Sequence, residues 1–211
     1  MLHPRVHISI LLLCICCNVF SQLVQPEDSV QAARCFQRAK ELYDAFLYDS
    51  VPYYYSEALA YYRTNQVTDI EVRCLLGMAD TYRILRENDK ADGLACEAER
   101  LLDDMPRPDS ILLAESWFVR GKLAYDHSDY DGATDWLKQS ATVFELLDPG
   151  SGRLARVINY LGIVYSTRGD LDRAEKYFSR FLELIREYGI SPSIEESWYY
   201  SNMNLINRKK G

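Results

Sequence analysis

The chain has 211 residues, 48% of them hydrophobic and 26% charged, enough for one well-buried domain. A formal net charge of −7, with no basic run, excludes nucleic acid as an expected partner. Of six cysteines, Cys14, Cys16 and Cys17 fall in an apolar leader, and Cys35, Cys74 and Cys96 remain as an odd set within helical patterns. They read as buried helix cysteines rather than a disulfide framework, with a single bridge left open.

In chain order, residues 1–21 read as an export signal. Ile8–Phe20 is a 13-residue apolar run behind Arg5, whereas about 20 residues are needed to span a bilayer. Val19-Phe20-Ser21 supplies side chains suited to cleavage before Gln22. A lipoprotein signal ranks second, because Leu13 is bulky directly before Cys14, and an uncleaved anchor ranks third. The mature chain, 22–211, is expected to be one domain without a membrane span. It is expected to be periplasmic or secreted, with a bacterial envelope as the first choice.

Apolar periodicity predicts helix pairs over about 29–63, 69–102, 110–147 and 153–187, and a last helix over 193–207. Ala32, Cys35, Phe36, Ala39, Leu42, Tyr43, Phe46 and Leu47 share one face of the first helix, with Asp28 or Ser29 as its cap. Asp49-Ser50-Val51-Pro52 is expected to end it, since proline disfavours the helical region in the residue before it. On the returning helix Tyr54, Ala58 and Tyr61 or Tyr62 face inward. Tyr53, Tyr54, Tyr55, Tyr61 and Tyr62 together are expected as core and rim. Leu75, Met78, Ala79 and Tyr82 mark the next first helix, Asn88-Asp89 its turn, and Ala91, Ala95 and Ala98 its partner. Trp117, Gly121 and Ala124, then Ala133, Leu137 and Ser140, mark the third pair, which Asp109-Ser110 caps. Leu154, Ile158, Leu161, Gly162 and Tyr165 mark the fourth; it breaks at Gly169-Asp170 and resumes with Ala174, Phe178 and Phe181 or Leu182. Ser191 caps the last helix, with Pro192 at its first position. That helix is a lone first helix or a polar end cap.

The small first-helix residue recurs at Ala79, Gly121 and Gly162, and the small second-helix residue at Ala91, Ala133 and Ala174, both in steps of 42 and 41. Within each pair the two lie 12 apart, so the turn is constant and the extra length falls between pairs. Together with Tyr82, Trp117, Leu161, Tyr165 and Phe178, this pattern resembles the tetratricopeptide repeat. It takes a long-period form similar to that of kinesin light chains and bacterial peptide-responsive regulators. The resemblance covers 69–184 well and 29–63 loosely, where the small positions Ala39 and Ala58 are spaced too far apart. It implies an all-α fold, an α-solenoid of stacked antiparallel helix pairs, and it assigns the signature residues to packing.

The same resemblance implies a concave groove lined by first helices. Carried over by register, its residues are Arg73, Leu76, Asp80 and Arg83, then Phe118, Lys122 and Tyr125, then Arg156, Asn159 and Ile163. The implied partner is a protein or peptide, extended or helical, with some acidic character. A two-carboxylate clamp on a chaperone tail is disfavoured, because it needs a lysine and an asparagine where Leu76 and Asp80 stand. Catalysis, a cofactor and a metal are not expected. His127, the one histidine after the leader, shares a polar inter-helix turn with Asp126 and Asp129, and no phosphate loop, Cys-x-x-Cys pair or nucleophile motif occurs. The leading expectation is an exported adaptor. Its rivals are the periplasmic sensory region of a bacterial signalling regulator, which the downstream reading frame would reveal, and self-association through the last helix.

Overall fold

The computed structural model of the chain describes residues 26–189 and 192–210. The expected export signal and the expected cap Ser191 lie outside the described residues. These hold nine α-helices and no strand. The chain divides into two compact units after Gln66, whereas the sequence reading joins 22–211 into one domain.

The first unit contains α1 (Pro26–Asp44), a single 3-10 turn at Tyr48–Ser50, and α2 (Val51–Thr64). Ala32, Cys35, Ala39 and Leu42 of α1 are buried, as are Val51, Tyr55, Ala58, Leu59 and Tyr62 of α2. Three expectations change here. Asp28 and Ser29 lie inside α1 rather than capping it. Helix α1 stops short of Phe46, which takes a left-handed φ of 61°, so Phe46 and Leu47 are exposed instead of joining the buried face. Pro52 opens α2 rather than closing α1; in a first turn its missing N–H leaves no intrahelical bond unmade. The inward tyrosines of α2 are accordingly Tyr55, one residue on from the expected Tyr54, and Tyr62, one of the two expected alternatives.

The second unit runs α3 (Thr68–Ile84), α4 (Asn88–Asp103), α5 (Ser110–Asp126), α6 (Tyr130–Leu147), α7 (Gly152–Arg168), α8 (Leu171–Glu187) and α9 (Pro192–Lys210). Helices α3 and α4, α5 and α6, and α7 and α8 pack as pairs; α3, α5, α7 and α9 also touch in succession. The pairing follows from side-chain size at the crossings. Ala79, Ala91, Ala133 and Ala174 are fully buried. A Cβ on Gly121 would lie 2.7 Å from Leu137 Cγ, and one on Gly162 would lie 2.7 Å from Phe178 Cδ1. Neither position has room for a methyl group. Ser140 adds a buried hydroxyl that donates to the Ala114 carbonyl at 2.7 Å, tying α6 to α5.

The turns repeat as faithfully as the crossings. Arg86, Ser128 and Gly169 each take a left-handed φ, of 65°, 64° and 84°. The next residue's N–H bonds five residues back in every case: Glu87 to Tyr82, Asp129 to Ala124 and Asp170 to Tyr165. This double-bonded C-terminal turn satisfies the last free carbonyls and reverses the chain. Asp129 and Asp170 then cap the following helices, accepting from Gly132 N at 2.9 Å and Arg173 N at 3.1 Å. Asp109 caps α5 in the same way, through Leu112 N at 2.9 Å.

Candidate binding face of the first helices

The face formed by α3, α5, α7 and α9 carries a ladder of polar contacts between residues 42 or 43 apart, about one repeat. Arg73 of α3 pairs with Glu115 of α5. The other oxygen of that carboxylate takes Arg153 of α7 at 2.8 Å, and Arg153 also holds Asp148 at 3.0 Å. One rung along, Asp80 accepts from Lys122 and, at 2.9 Å, from Arg83. Arg83 reaches Asp126 at 3.0 Å. Between α5 and α7 the Tyr125 hydroxyl meets Thr167 Oγ1 at 3.1 Å. Between α7 and α9 Asn202 donates to Asn159 at 3.0 Å, and Lys209 to the Ser166 carbonyl at 2.9 Å.

Aromatic rings lie against these charges. Lys122 Nζ sits 4.2 Å from the Phe118 ring centroid, and the Arg83 guanidinium 5.9 Å from that of Tyr160. Phe118 and Tyr160 meet edge-to-face at 5.7 Å, and Tyr125 and Tyr160 at 6.4 Å. Loss of hydration pushes the Lys122 ammonium down to about 8, against the pull of Asp80. Burial also works against the Arg83 cation, but Asp80, Tyr160 and the bond to Asp126 outweigh it and raise its pKa further. The Tyr160 phenol is pushed up to about 12 by burial, with Arg83 opposing.

This geometry corrects the groove read from register. Leu76 (5% exposed), Asp80 (6%), Lys122 (4%) and Asn159 (7%) are buried between helices rather than displayed. The expected reach of these four fails because each first helix packs against the next one, and a buried charge must find a partner there. Arg73 and Arg83 are part-buried within the ion pairs, and Phe118, Tyr125 and Ile163 are half-buried. Arg156 alone of the ten is fully on the surface. Among the signature residues Leu161, Tyr165 and Phe178 are buried as expected, while Tyr82 and Trp117 keep an exposed edge.

Sequence reasoning missed Glu115, Tyr160 and Thr167, and placed Asp126 only in the polar turn rather than opposite Arg83. The repeat step was the available signal: Arg73 plus 42 is Glu115, and Phe118 plus 42 is Tyr160. The acidic turn does not converge. Asp126 serves Arg83, Asp129 caps α6, and His127 faces Asp92 of α4 at 3.2 Å. Cys35 and Cys74 are buried as expected, but Cys96 lies on the exposed face of α4; all three are free.

No protein-family model matches the chain. The Competence and Sporulation Factor complex of Rap protein superposes with a TM-score of 0.69 at 19% identity, over 89% of this chain and 55% of that one. Kinesin light chain TPR-like repeats from Podosopora anserina superpose with a TM-score of 0.57 at 9% identity, over 89% of this chain and 96% of that one. The fold is a TPR-like stack of helix pairs. In sequence, 79 residues are 34% identical to prolyl 4-hydroxylase subunit alpha-1 of Mus musculus and 33% identical to that of Rattus norvegicus. The match takes in 37% of this chain and spans only 15% of the length of those curated relatives.

Proposed function

We propose that the second unit is a polypeptide-binding module that holds an extended, proline-containing chain against the Phe118–Tyr125–Tyr160 aromatic face. The observation that carries this reading is the edge-to-face meeting of those three rings across α5 and α7, beside charges already paired with one another. Proline-rich chains are pre-extended and dock on aromatic surfaces, so little ordering entropy opposes their binding. A face whose ions are internally neutralised selects for ring contacts rather than for ligand charge, which revises the acidic partner inferred from register. The sequence likeness to prolyl 4-hydroxylase subunits, proteins named for chemistry on prolyl residues, points to the same ligand class. In this reading the chain supplies binding and no catalysis, as an adaptor or as the polypeptide-holding part of a larger subunit.

Titration calorimetry with a proline-rich peptide and a proline-free scramble tests it. Tyr125→Ala should weaken binding of the first peptide about tenfold or more, the cost of losing a central aromatic anchor, while Tyr125→Phe should leave it nearly unchanged. Equal binding of the two peptides, or full affinity in Tyr125→Ala, would remove the proposal. Residues 1–21 are read with it as an export signal. The mammalian source of the sequence relatives favours an animal secretory compartment over a bacterial envelope. An N-terminus at Gln22 in protein recovered after secretion is the expected result.

A further inference from the structure

Phe118 and Tyr160 are half-buried, and each already has a cation of the protein's own against its ring. Lys122, only 4% exposed, places Nζ 4.2 Å from the Phe118 centroid and 6.0 Å from that of Tyr160. Arg83 reaches from α3 past α5 to α7, where its guanidinium lies 5.9 Å from the Tyr160 centroid. Both cations are anchored from within the fold. One oxygen of the Asp80 carboxylate takes Arg83 and the other takes Lys122, while Asp126 holds Arg83 a second time. An aromatic face attracts a cation through the electron density above its plane. A ring polarised from one side by a bound cation offers less to a second one on the other side. Across so thin and weakly screening a spacer the two cations also repel. An uncharged chain loses nothing by this, because its contact with the rings is apolar.

We propose that Lys122 and Arg83 make this face selective against cations, so that it accepts proline-containing segments of uncharged residues and rejects those with arginine or lysine beside the proline. The inference rests on the proline-binding reading and names which of those chains fit. Lys122 touches no ligand in this scheme; it sets the specificity of Phe118 and Tyr160 from behind. Its protonation supplies a readout that packing alone does not. Loss of hydration brings the ammonium down to about 8; Asp80 on α3 opposes the fall, and Arg83 on α3 and Arg156 on α7 add to it. Tyr160 on α7 keeps its proton up to about 12. Affinity for a cationic peptide should therefore rise as the pH climbs through 8. Titration calorimetry on the full chain, at fixed ionic strength, compares two acetylated and amidated proline-rich peptides of equal length. One is uncharged and the other carries arginine beside each proline. At pH 7 the uncharged peptide should bind about fivefold or more tighter. At pH 9.5 that ratio should shrink by about half or more, because arginine stays charged and Lys122 does not. Lys122→Met should show the smaller ratio at both pH values, and Lys122→Arg the larger one. Asp80→Leu combined with Lys122→Met removes the buried pair together and replaces the single variant if that does not fold. Equal binding of the two peptides at pH 7, or a ratio that Lys122→Met leaves unchanged, would overturn the inference and leave the proline-binding reading standing. Binding of neither peptide would remove both.

Discussion

The residues that decide this structure are small ones at crossings and charged ones between repeats. Gly162→Ala would place a methyl group 2.7 Å from Phe178 Cδ1. Overpacking of that kind costs about 1–3 kcal/mol, offset in part by better helix propensity. Gly93→Ala, on an exposed face of α4 with nothing within 4 Å, should instead gain about 0.5–1 kcal/mol. Chemical denaturation of both variants should show these opposite signs; a Gly162→Ala protein as stable as wild type would contradict the crossing. Asp80→Ala should lose about 3–5 kcal/mol because it leaves the Lys122 ammonium buried without its carboxylate, whereas the double change Asp80→Leu with Lys122→Met should come out nearly neutral. The pH dependence has a sign that burial sets. Desolvation, with Glu71 adding to it, pushes the Cys74 thiol from 9.0 up to about 12. The native chain therefore keeps a proton that the unfolded chain releases, and this contribution falls by about 1.4 kcal/mol per pH unit above pH 9, until the native thiol ionises near 12. Lys122 acts oppositely between about 8 and 10.5, where the unfolded chain holds the extra proton. Melts from pH 8 to 11 on wild type, Cys74→Ala and Lys122→Met should separate the two slopes.

At the scale of elements, the turns carry the repetition as strongly as the helices. Arg86 and Ser128 occupy the left-handed position that Gly169 fills in the third turn of the second unit. A side chain there is strained by roughly 1–2 kcal/mol relative to glycine, so Ser128→Gly should raise the melting temperature slightly once the entropy cost of glycine is subtracted. A lower melting temperature would mean that the Ser128 side chain contributes something its backbone does not reveal. Loss of the Asp170 cap should cost about 1 kcal/mol, because Arg173 N would lose its acceptor at the start of α8. The helix limits differ from the periodic reading mainly in the first unit, where a left-handed Phe46 breaks α1 and Pro52 starts α2. Apolar periodicity continues through both places, so it cannot mark either boundary.

At the scale of the molecule, the pair-by-pair architecture of the second unit was legible before any coordinates, and the use of its first-helix face was not. Steps of 42 and 41 between small residues record a crossing repeated in each pair, and only short side chains fit there. That constraint is local to each pair, so composition and spacing carry it. Whether a charged residue such as Lys122 or Asp80 faces a ligand or a neighbouring helix depends on how one pair leans on the next, and a one-dimensional period contains the distance along the chain but not the angle between helices. The sequence by itself determined the helices, their pairing and the turns that join them, because those are set within about 40 residues by periodicity, capping and side-chain size. Only the tertiary structure decided that Asp80, Lys122 and Arg83 close upon one another between helices, because desolvation makes each buried charge take the nearest opposite partner that packing brings within reach.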